Sequence, residues 1–111
     1  MSTIRSGGSH ITLINTFEVQ PDRADELLQL LIKATDEVMC HQPGFVSANL
    51  HVSFDRKRIV NYAQWRSKPD FEAMKSSPEA ASHMQEAAKI AERFEPVLYT
   101  VEHVEDRPSA I

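Results

Sequence analysis

The sequence is poor in the residues that form disulfides, nucleotide cradles and membrane spans. Its 111 residues include one cysteine and three glycines. A single cysteine, Cys40, forms neither an internal disulfide nor a zinc site, and it favours a reducing, cytoplasmic location. No apolar run approaches the roughly 20 residues that cross a bilayer, and no GxGxxG, P-loop or GxSxG segment occurs. We therefore expect no membrane partner and no nucleotide cradle.

Charge and histidine spacing exclude two further classes of partner. The formal net charge is −4 and no basic stripe follows a predicted face, so nucleic acid is not an expected partner. Histidines and carboxylates lack the close spacing of metal ligands, so no metal site is expected. The apolar content of 41% suits one globular domain, which we expect at residues 10–106, between a flexible N-terminal tail (1–9) and a C-terminal tail (107–111).

The hydrophobic pattern predicts the element order β-α-β-β-α-α-β. The predicted strands cover residues 10–18, 45–54, 58–66 and 97–104. Pro21 opens the first helix, serine-led segments at 67–70 and 76–79 open the two later helices, and Pro96 ends the last one. The order predicts an α+β, ferredoxin-like βαββαβ fold, in which one antiparallel sheet carries helices on one face and has its first and third strands at the centre.

The second predicted strand has one apolar and one polar face. The apolar face carries Val46, Ala48, Leu50, Val52 and Phe54, and the other face carries Phe45, Ser47, Asn49, His51 and Ser53. Helices cover only one face of such a sheet. We therefore expect the apolar row to pack against a second copy in a homodimer, and the polar row to line a cavity under the helices. The alternative exchanges the faces, with the apolar row under the helices and the polar row in water.

Candidate site residues follow from a hairpin in which Phe54 pairs with Arg58. This register places His51 opposite Asn61, and cross-strand partners share a face. The predicted cavity is lined by Asn15, Asn49, His51, Asn61 and Trp65, with Phe71 and Met74 as its lid. His83, at the edge of the apolar face of its helix, is a further candidate pocket residue. Buried amides are costly unless they are paired, so a planar aromatic ligand with carbonyl and hydroxyl groups suits this site. The same side chains also have purely structural interpretations, in the core or at a half-exposed surface.

Three segments resemble the antibiotic biosynthesis monooxygenase (ABM) family. They are INTFEV at 14–19, QPGFV at 42–46 and NYAQWRS at 61–67, and the resemblance spans about residues 10–104. It implies a dimeric α/β barrel. The best understood type of this family oxidises anthrone-like polyketides to quinones with molecular oxygen, without metal, flavin or haem.

The resemblance also implies roles for three residues. Asn61 and Trp65 match the asparagine and tryptophan of the anthrone oxygenase type, and His51 matches a pocket histidine. A phenolic substrate would lose a proton, and its electron-rich enolate would pass an electron to oxygen. Asn61 would donate to the oxyanion, Trp65 would stack or donate its N–H, and His51 would be the base or a second donor. The tyrosine of that type falls at Phe71, which lacks the hydroxyl.

Three alternative functions stay open at this point. Haem-degrading relatives use a first-strand asparagine and a helical histidine, which match Asn15 and, with one gap, His83; however, their short-helix tryptophan is Met74 here. The same fold also serves non-catalytic small-molecule-binding proteins. The third alternative is quinol oxidation or a related role outside antibiotic biosynthesis, which differs from the anthrone reaction only in its substrate.

Overall fold

The computed structural model describes residues 2–108. They form a single sheet with a layer of helices on one face. The strands are β1 (Ile11–Glu18), β2 (Phe45–Val52), β3 (Arg58–Trp65) and β4 (Arg93–Tyr99), and the helices are α1 (Ala24–Glu37), α2 (Lys68–Lys75) and α3 (Pro78–Ile90). The antiparallel sheet has the order β2-β3-β1-β4. The ferredoxin-like prediction, with the first and third strands central, is confirmed.

The two ends of the described chain flank this sheet. Residues 2–10 and 100–108 contain no helix or strand. The predicted tail boundaries stay predictions, and residues 109–111 of the C-terminal tail lie outside the described residues. No helix in the described part of the chain is both long and apolar enough to cross a membrane.

Helix α1 packs on the centre of the sheet. A short 3-10 turn at Pro21–Arg23 leads into it. The acidic residues Asp25 and Glu26 lie in its first turn, where their negative charge interacts favourably with the positive end of the helix dipole. Its buried positions recur at helical spacing: Ala24, Leu27, Leu31 and Ala34. Ala24, Leu27 and Leu31 join a core cluster with Phe17 of β1 and Ile59 of β3. The central strands are thereby covered on this side, which is called the covered face.

Serine caps begin the two later helices. The cap at Ser67 is the predicted one, whereas the second cap is Ser77, one residue after the predicted Ser76. The Oγ of Ser67 accepts a hydrogen bond from the backbone N–H of Asp70 at 3.3 Å. The Oγ of Ser77 accepts one from the N–H of Ala80 at 3.4 Å. A proline stands in the first turn of each helix, where its missing N–H costs nothing. The caps determine where the helices begin and therefore which side chains they turn toward the sheet.

The last strand begins earlier than the sequence predicted. The prediction of a helix that continues to Pro96 and a strand at 97–104 is wrong, because α3 ends at Ile90 and β4 pairs with β1 from Arg93 onward. Proline is tolerated inside β4 because β4 is an edge strand. Phe94 therefore lies on the sheet opposite Phe17, with 5.7 Å between the ring centroids.

The β2–β3 register differs from the predicted one by one residue. The backbone N–H of Ser53 donates to the carbonyl of Arg58, so the connecting loop spans residues 54–57. His51 consequently lies opposite Val60, and Asn61 lies opposite Leu50. Side chains alternate along a strand, so a shift of one residue exchanges its faces. The prediction that His51 shares a face with Asn61 is wrong.

The apolar row of β2 lies under the helices as a result. Leu50 and Val52 pack against the cluster around Phe17, and Ala48 packs against a second core cluster around Trp65. The prediction that this row packs against a second copy is therefore wrong, and the alternative with exchanged faces is the observed one. The end members of the row, Val46 and Phe54, are exposed.

The opposite side of the sheet, called the uncovered face, is mixed rather than polar. Strand alternation and register place five partly exposed apolar or aromatic side chains there: Ile14, Val60, Tyr62, Val97 and Tyr99. The N-terminal segment crosses one edge of this face. Ser2 Oγ donates to Asn49 Oδ1 at 2.8 Å, and Gln64 Nε2 donates to the carbonyl of Thr3 at 2.7 Å. Gln64 is buried by this contact.

Candidate active site

A cavity of about 290 Å³ lies between the covered face and the helices. Its size is near the lower end of the range for small-molecule sites. The sheet supplies its floor, which includes Asn15, Ala48, Asn61, Ala63 and Trp65, and helices α2 and α3 supply its roof, which includes Phe71, Met74, Ala80 and Met84. The wall is mainly apolar, so each polar atom on it matters for what can bind.

Two asparagines meet at the centre of the cavity floor. Asn15 of β1 lies directly opposite Asn61 of β3 in the pairing of the two central strands. The Oδ1 atoms of both side chains are buried, and neither has a hydrogen-bond partner among residues 2–108. A buried amide without partners is costly, so two unpaired acceptors on one apolar wall indicate a ligand that donates hydrogen bonds.

Trp65 adds an unpaired donor to the same wall. It is 2% exposed, and its ring makes edge contacts with Phe45 and Phe71 at centroid distances of 5.6 and 6.1 Å. Its Nε1 is buried and finds no acceptor within the described part of the chain. A buried indole N–H usually has a partner. The cavity therefore presents one donor and two acceptors that the protein itself does not satisfy.

A turn at Gly44 positions helix α2 over the cavity. The carbonyl of Gly44 accepts from the N–H of Arg66 at 2.7 Å, and a Cβ at this glycine would collide with the side chain of Asp70. The Asp70 carboxylate accepts from Arg66 Nε and Nη2, both at 2.9 Å, and from Ser67 Oγ at 2.7 Å. The hydrogen bonds from Arg66 and Ser67 hold the pKa of Asp70 below its ordinary value. This cluster sets the start of α2 and thereby the position of Phe71.

Lys75 is a cavity residue that the sequence reasoning missed. It is the one ionisable side chain among the described residues that line the cavity. Its Nζ lies 5.3 Å from the centroid of the Phe71 ring and 3.2 Å from Glu72 Oε2, and its side chain is 54% exposed. Lys75 therefore stands at the mouth of the cavity. The available signal was its spacing of four residues from Phe71, which puts both on one side of a helix.

The structure brings five of the eight predicted site residues to this cavity. They are Asn15, Asn61, Trp65, Phe71 and Met74. Their proximity follows from the central pairing of β1 with β3 and from the cap that begins α2. The catalytic roles predicted for Asn61 and Trp65 stay predictions.

Three predicted site residues lie elsewhere. His51 and Asn49 are on the uncovered face, where Asn49 Nδ2 donates to the carbonyl of Tyr62 at 3.0 Å. His83 lines a separate recess between α3 and the end of α1, and its Nδ1 is buried without a partner among residues 2–108. The prediction that these residues line the cavity is wrong. The register shift moves the two β2 residues, and the orientation of α3 turns His83 away.

The donor set does not suit a haem or a metal ion. The haem interpretation needs Asn15 and His83 at one site, and the two residues face different cavities. Within residues 2–108 no three His, Cys, Asp or Glu side chains are grouped so that they could hold a metal ion. The cavity instead offers amide, indole and apolar groups, which bind an organic molecule.

The fold and this cavity define a monooxygenase of the antibiotic biosynthesis type. The model of the antibiotic biosynthesis monooxygenase family matches residues 10–88, and the chain belongs to this family. The resemblance found in the sequence is thereby confirmed, and so is the assignment to the monooxygenase class.

Similar proteins agree with this assignment. Tetracenomycin-F1 monooxygenase of Streptomyces glaucescens is 40% identical over 103 residues, which cover 93% of this chain and 91% of that protein. SnoaB, a cofactor-independent oxygenase from Streptomyces nogalater, has a TM-score of 0.79 at 23% identity, over 87% of this chain and 97% of its own. A Streptomyces coelicolor monooxygenase in complex with nanaomycin D has a TM-score of 0.80 at 26% identity, over 91% and 94%.

Proposed function

We propose that this protein is a cofactor-independent monooxygenase that oxidises an anthrone- or quinol-like phenolic compound with molecular oxygen. The observation that carries the proposal is the set of three unpaired buried atoms in one apolar cavity: Asn15 Oδ1, Asn61 Oδ1 and Trp65 Nε1. A flat aromatic compound with hydroxyl donors and a carbonyl acceptor would satisfy all three atoms. Its rings would occupy the apolar space between Phe71 and the sheet.

The proposed reaction uses electrons of the substrate itself. The bound phenolic compound loses a proton, and the resulting enolate passes an electron to oxygen; recombination and loss of water convert a CH₂ group to a carbonyl. The protein needs to bind and orient the substrate and to stabilise its anion. The amide of Asn61 can donate to the developing oxyanion, since an amide carries both a donor and an acceptor. Trp65 can donate its Nε1–H or pack against the ring.

The proton acceptor differs from the one that the sequence suggested. His51 lies on the uncovered face, and no histidine or carboxylate among the described residues lines the cavity. We therefore propose that the proton passes to water at the cavity mouth. Stabilisation of the anion by Asn61 and Trp65 is then the main contribution of the protein, because it makes the bound substrate more acidic.

The similar proteins support this proposal through their own described activities. The 40% identical relative is a tetracenomycin-F1 monooxygenase. That name supports an aromatic polyketide-type substrate for this chain. The oxygenase of Streptomyces nogalater is cofactor-independent, which supports chemistry without an added cofactor here.

We also propose that the protein is a homodimer that pairs through its uncovered face. The apolar row of β2 lies under the helices and does not support this interface. The supporting residues are partly exposed on the uncovered face: Ile14, Val60, Tyr62, Val97 and Tyr99. An apolar sheet face of this kind favours association, and a two-fold axis buries both copies at once. Val60→Asp is expected to give a monomer in light scattering, and a persistent dimer would place the interface elsewhere. The exposed thiol of Cys40 suits the cytoplasmic location that we propose.

Oxygen uptake tests the proposed activity. Purified, metal-stripped protein is mixed with dithranol, and wild type is compared with Asn61→Ala, Trp65→Phe and the control Asn49→Ala, an asparagine on the uncovered face. We expect uptake without added cofactor, a fall of about 100-fold for Asn61→Ala, and no change for the control. Uptake at the autoxidation rate in wild type would reject the activity. A haem titration and a ligand-binding assay would then separate the haem and binding-protein alternatives.

A further inference from the structure

A groove of about 890 Å³ lies beside the cavity, along the free edge of β2. Its walls come from β2, from the second half of α1 and from the N-terminal segment, and the proposed reaction does not use it. Three residues line both the groove and the cavity: Thr35 of α1, and Phe45 and Ala48 of β2. They are called the partition. The groove and the cavity are therefore separated by a wall that is one side chain thick.

The partition exists because β2 carries one extra residue. Between Phe45 and Ser47 the register with β3 shifts by one residue, and Val46 is the extra one. Regular alternation would place Phe45 and Ala48, which are three residues apart, on opposite faces of the sheet. The bulge brings both onto the covered face. The ring of Phe45 consequently lies opposite Trp65, with 5.6 Å between the ring centroids.

The partition lies directly beside the proposed reaction centre. Ala48 pairs with Ala63, which stands between Asn61 and Trp65 on the covered face of β3. The Cβ atoms of such cross-strand partners are about 5 Å apart. A small molecule that passes Ala48 from the groove therefore arrives next to the substrate rings that the proposed function places against Asn61 and Trp65.

We infer that the partition is a second opening of the cavity, through which dioxygen reaches the bound aromatic substrate. This inference rests on the proposed function and assigns Thr35, Phe45 and Ala48 to the oxygen route. A ligand in a cavity of this kind has most of its surface buried by the protein. An aromatic substrate that entered past Lys75 therefore blocks that mouth, and the second substrate needs another entrance.

The side chains of the partition suit the passage of a small apolar molecule. All three are half-buried, and Ala48 contributes only a methyl group. The Oγ1 of Thr35 donates to the carbonyl of Leu31 at 2.8 Å, so its hydrogen is already bonded within the helix. Dioxygen needs no hydrogen-bond partner, and side chains that reach solvent change rotamer within picoseconds to nanoseconds. A polycyclic compound would need α1 and β2 to separate, so the partition selects by size.

Ala81 provides a matched comparison at another part of the cavity wall. It lines the cavity from α3 and does not line the groove. Ala48→Leu and Ala81→Leu add the same atoms to the cavity wall, but only Ala48→Leu thickens the partition. Ala48→Val is a smaller block that suits a strand. Thr35→Ala thins the partition and keeps a good helix former in α1.

Oxygen quenching of tryptophan fluorescence tests the route without catalysis. Trp65 is the single tryptophan and is 2% exposed. We expect Ala48→Leu to halve the quenching rate constant, because one of two parallel routes is closed, and Ala48→Val to lower it less. Thr35→Ala should raise it, and Ala81→Leu should keep the wild-type value. Wild-type quenching in both Ala48 variants, or an equal fall in Ala81→Leu, would overturn the inference, because oxygen would then reach Trp65 by the mouth.

Turnover with the cavity filled separates this inference from the proposed function. At saturating dithranol, and after correction for autoxidation, Ala48→Leu is expected to raise the KM for oxygen several-fold, whereas Ala81→Leu leaves it unchanged. The KM for dithranol should change to a similar extent in both variants. An unchanged oxygen KM in Ala48→Leu overturns the inference even if dithranol is oxidised. The expected pattern of quenching without catalysed oxygen uptake would support the passage and reject the oxygenase activity.

Discussion

Replacement of Asn61 by leucine should stabilise the protein and abolish its activity. The Oδ1 of Asn61 is buried without a partner among the described residues, on an apolar wall. Leucine has similar branching, and the cavity has room for its methyl groups. A side chain that is retained for folding would show the opposite behaviour, because its removal would cost stability.

The expected size of the effect follows from the cost of an unpaired polar atom. Leaving a buried acceptor unsatisfied costs about 1–3 kcal/mol, and leucine removes that cost. A net gain of about 1 kcal/mol would raise Tm by about 4 °C or more in a domain of this size. Loss of the oxyanion donor should lower kcat by about 100-fold or more.

Gln64→Leu is the matched control. Gln64 lies on the same strand but on the other face, and both ends of its amide are paired: Oε1 accepts from Ser47 Oγ at 2.7 Å, and Nε2 donates to the carbonyl of Thr3 at 2.7 Å. Its replacement should cost about 1–3 kcal/mol, since two hydrogen bonds are lost and their partners are left behind. Its oxygenase activity per folded molecule should not change.

Thermal unfolding and oxygen uptake on the same preparations provide the two measurements. We expect Asn61→Leu to raise Tm and Gln64→Leu to lower it, with activity lost only in Asn61→Leu. This result would support the assignment of the Asn61 side chain to ligand binding. A drop in Tm for Asn61→Leu similar to that for Gln64→Leu would refute it. The Asn61 amide would then be held by the protein itself or by a structural water molecule.

Three further predictions concern the register, the turn and the cap. His51→Ala should leave kcat/KM for dithranol unchanged, because His51 is on the uncovered face; a loss near the roughly 100-fold expected of a general base contradicts this. Gly44→Ala should lower the free energy of unfolding in urea by about 2 kcal/mol or more, because φ is +83° and the new Cβ meets Asp70; a gain in stability would show that the turn adapts. The lowered pKa of Asp70 means that its stabilising effect is present above the ordinary value of 3.8 and is lost as pH falls through the lower folded value. Below pH 3.8 the stability difference between wild type and Asp70→Asn should therefore shrink, and a constant difference would exclude this linkage.

Much of the fold was predictable because its signals are local. The serine-led starts of the two later helices and the Pro21 turn depend on neighbouring residues, so they can be recognised along the chain to within one residue. The boundary between α3 and β4 was not predictable in this way. Pro96 has the pattern of a helix end, and it is accepted in a strand only because that strand lies at the sheet edge.

The candidate site was predictable where its residues share a strand face by alternation alone. Asn61 and Trp65 lie four residues apart on β3, so they face the same cavity in any register. His51 depended on the length of the loop that joins β2 to β3. The observed loop is one residue longer than the predicted one, and this difference places the His51 side chain on the opposite face of the sheet.

The sequence by itself determined the family, the order of the elements and the chemistry available on β3, because these depend on residue types and spacing along one segment. Only the tertiary structure decided which face of β2 is covered, that His83 turns away from the cavity, and that Lys75 stands at its mouth. These features depend on the register between strands and on how the helices pack across the sheet. Such contacts join residues far apart in the chain, and local patterning does not specify them.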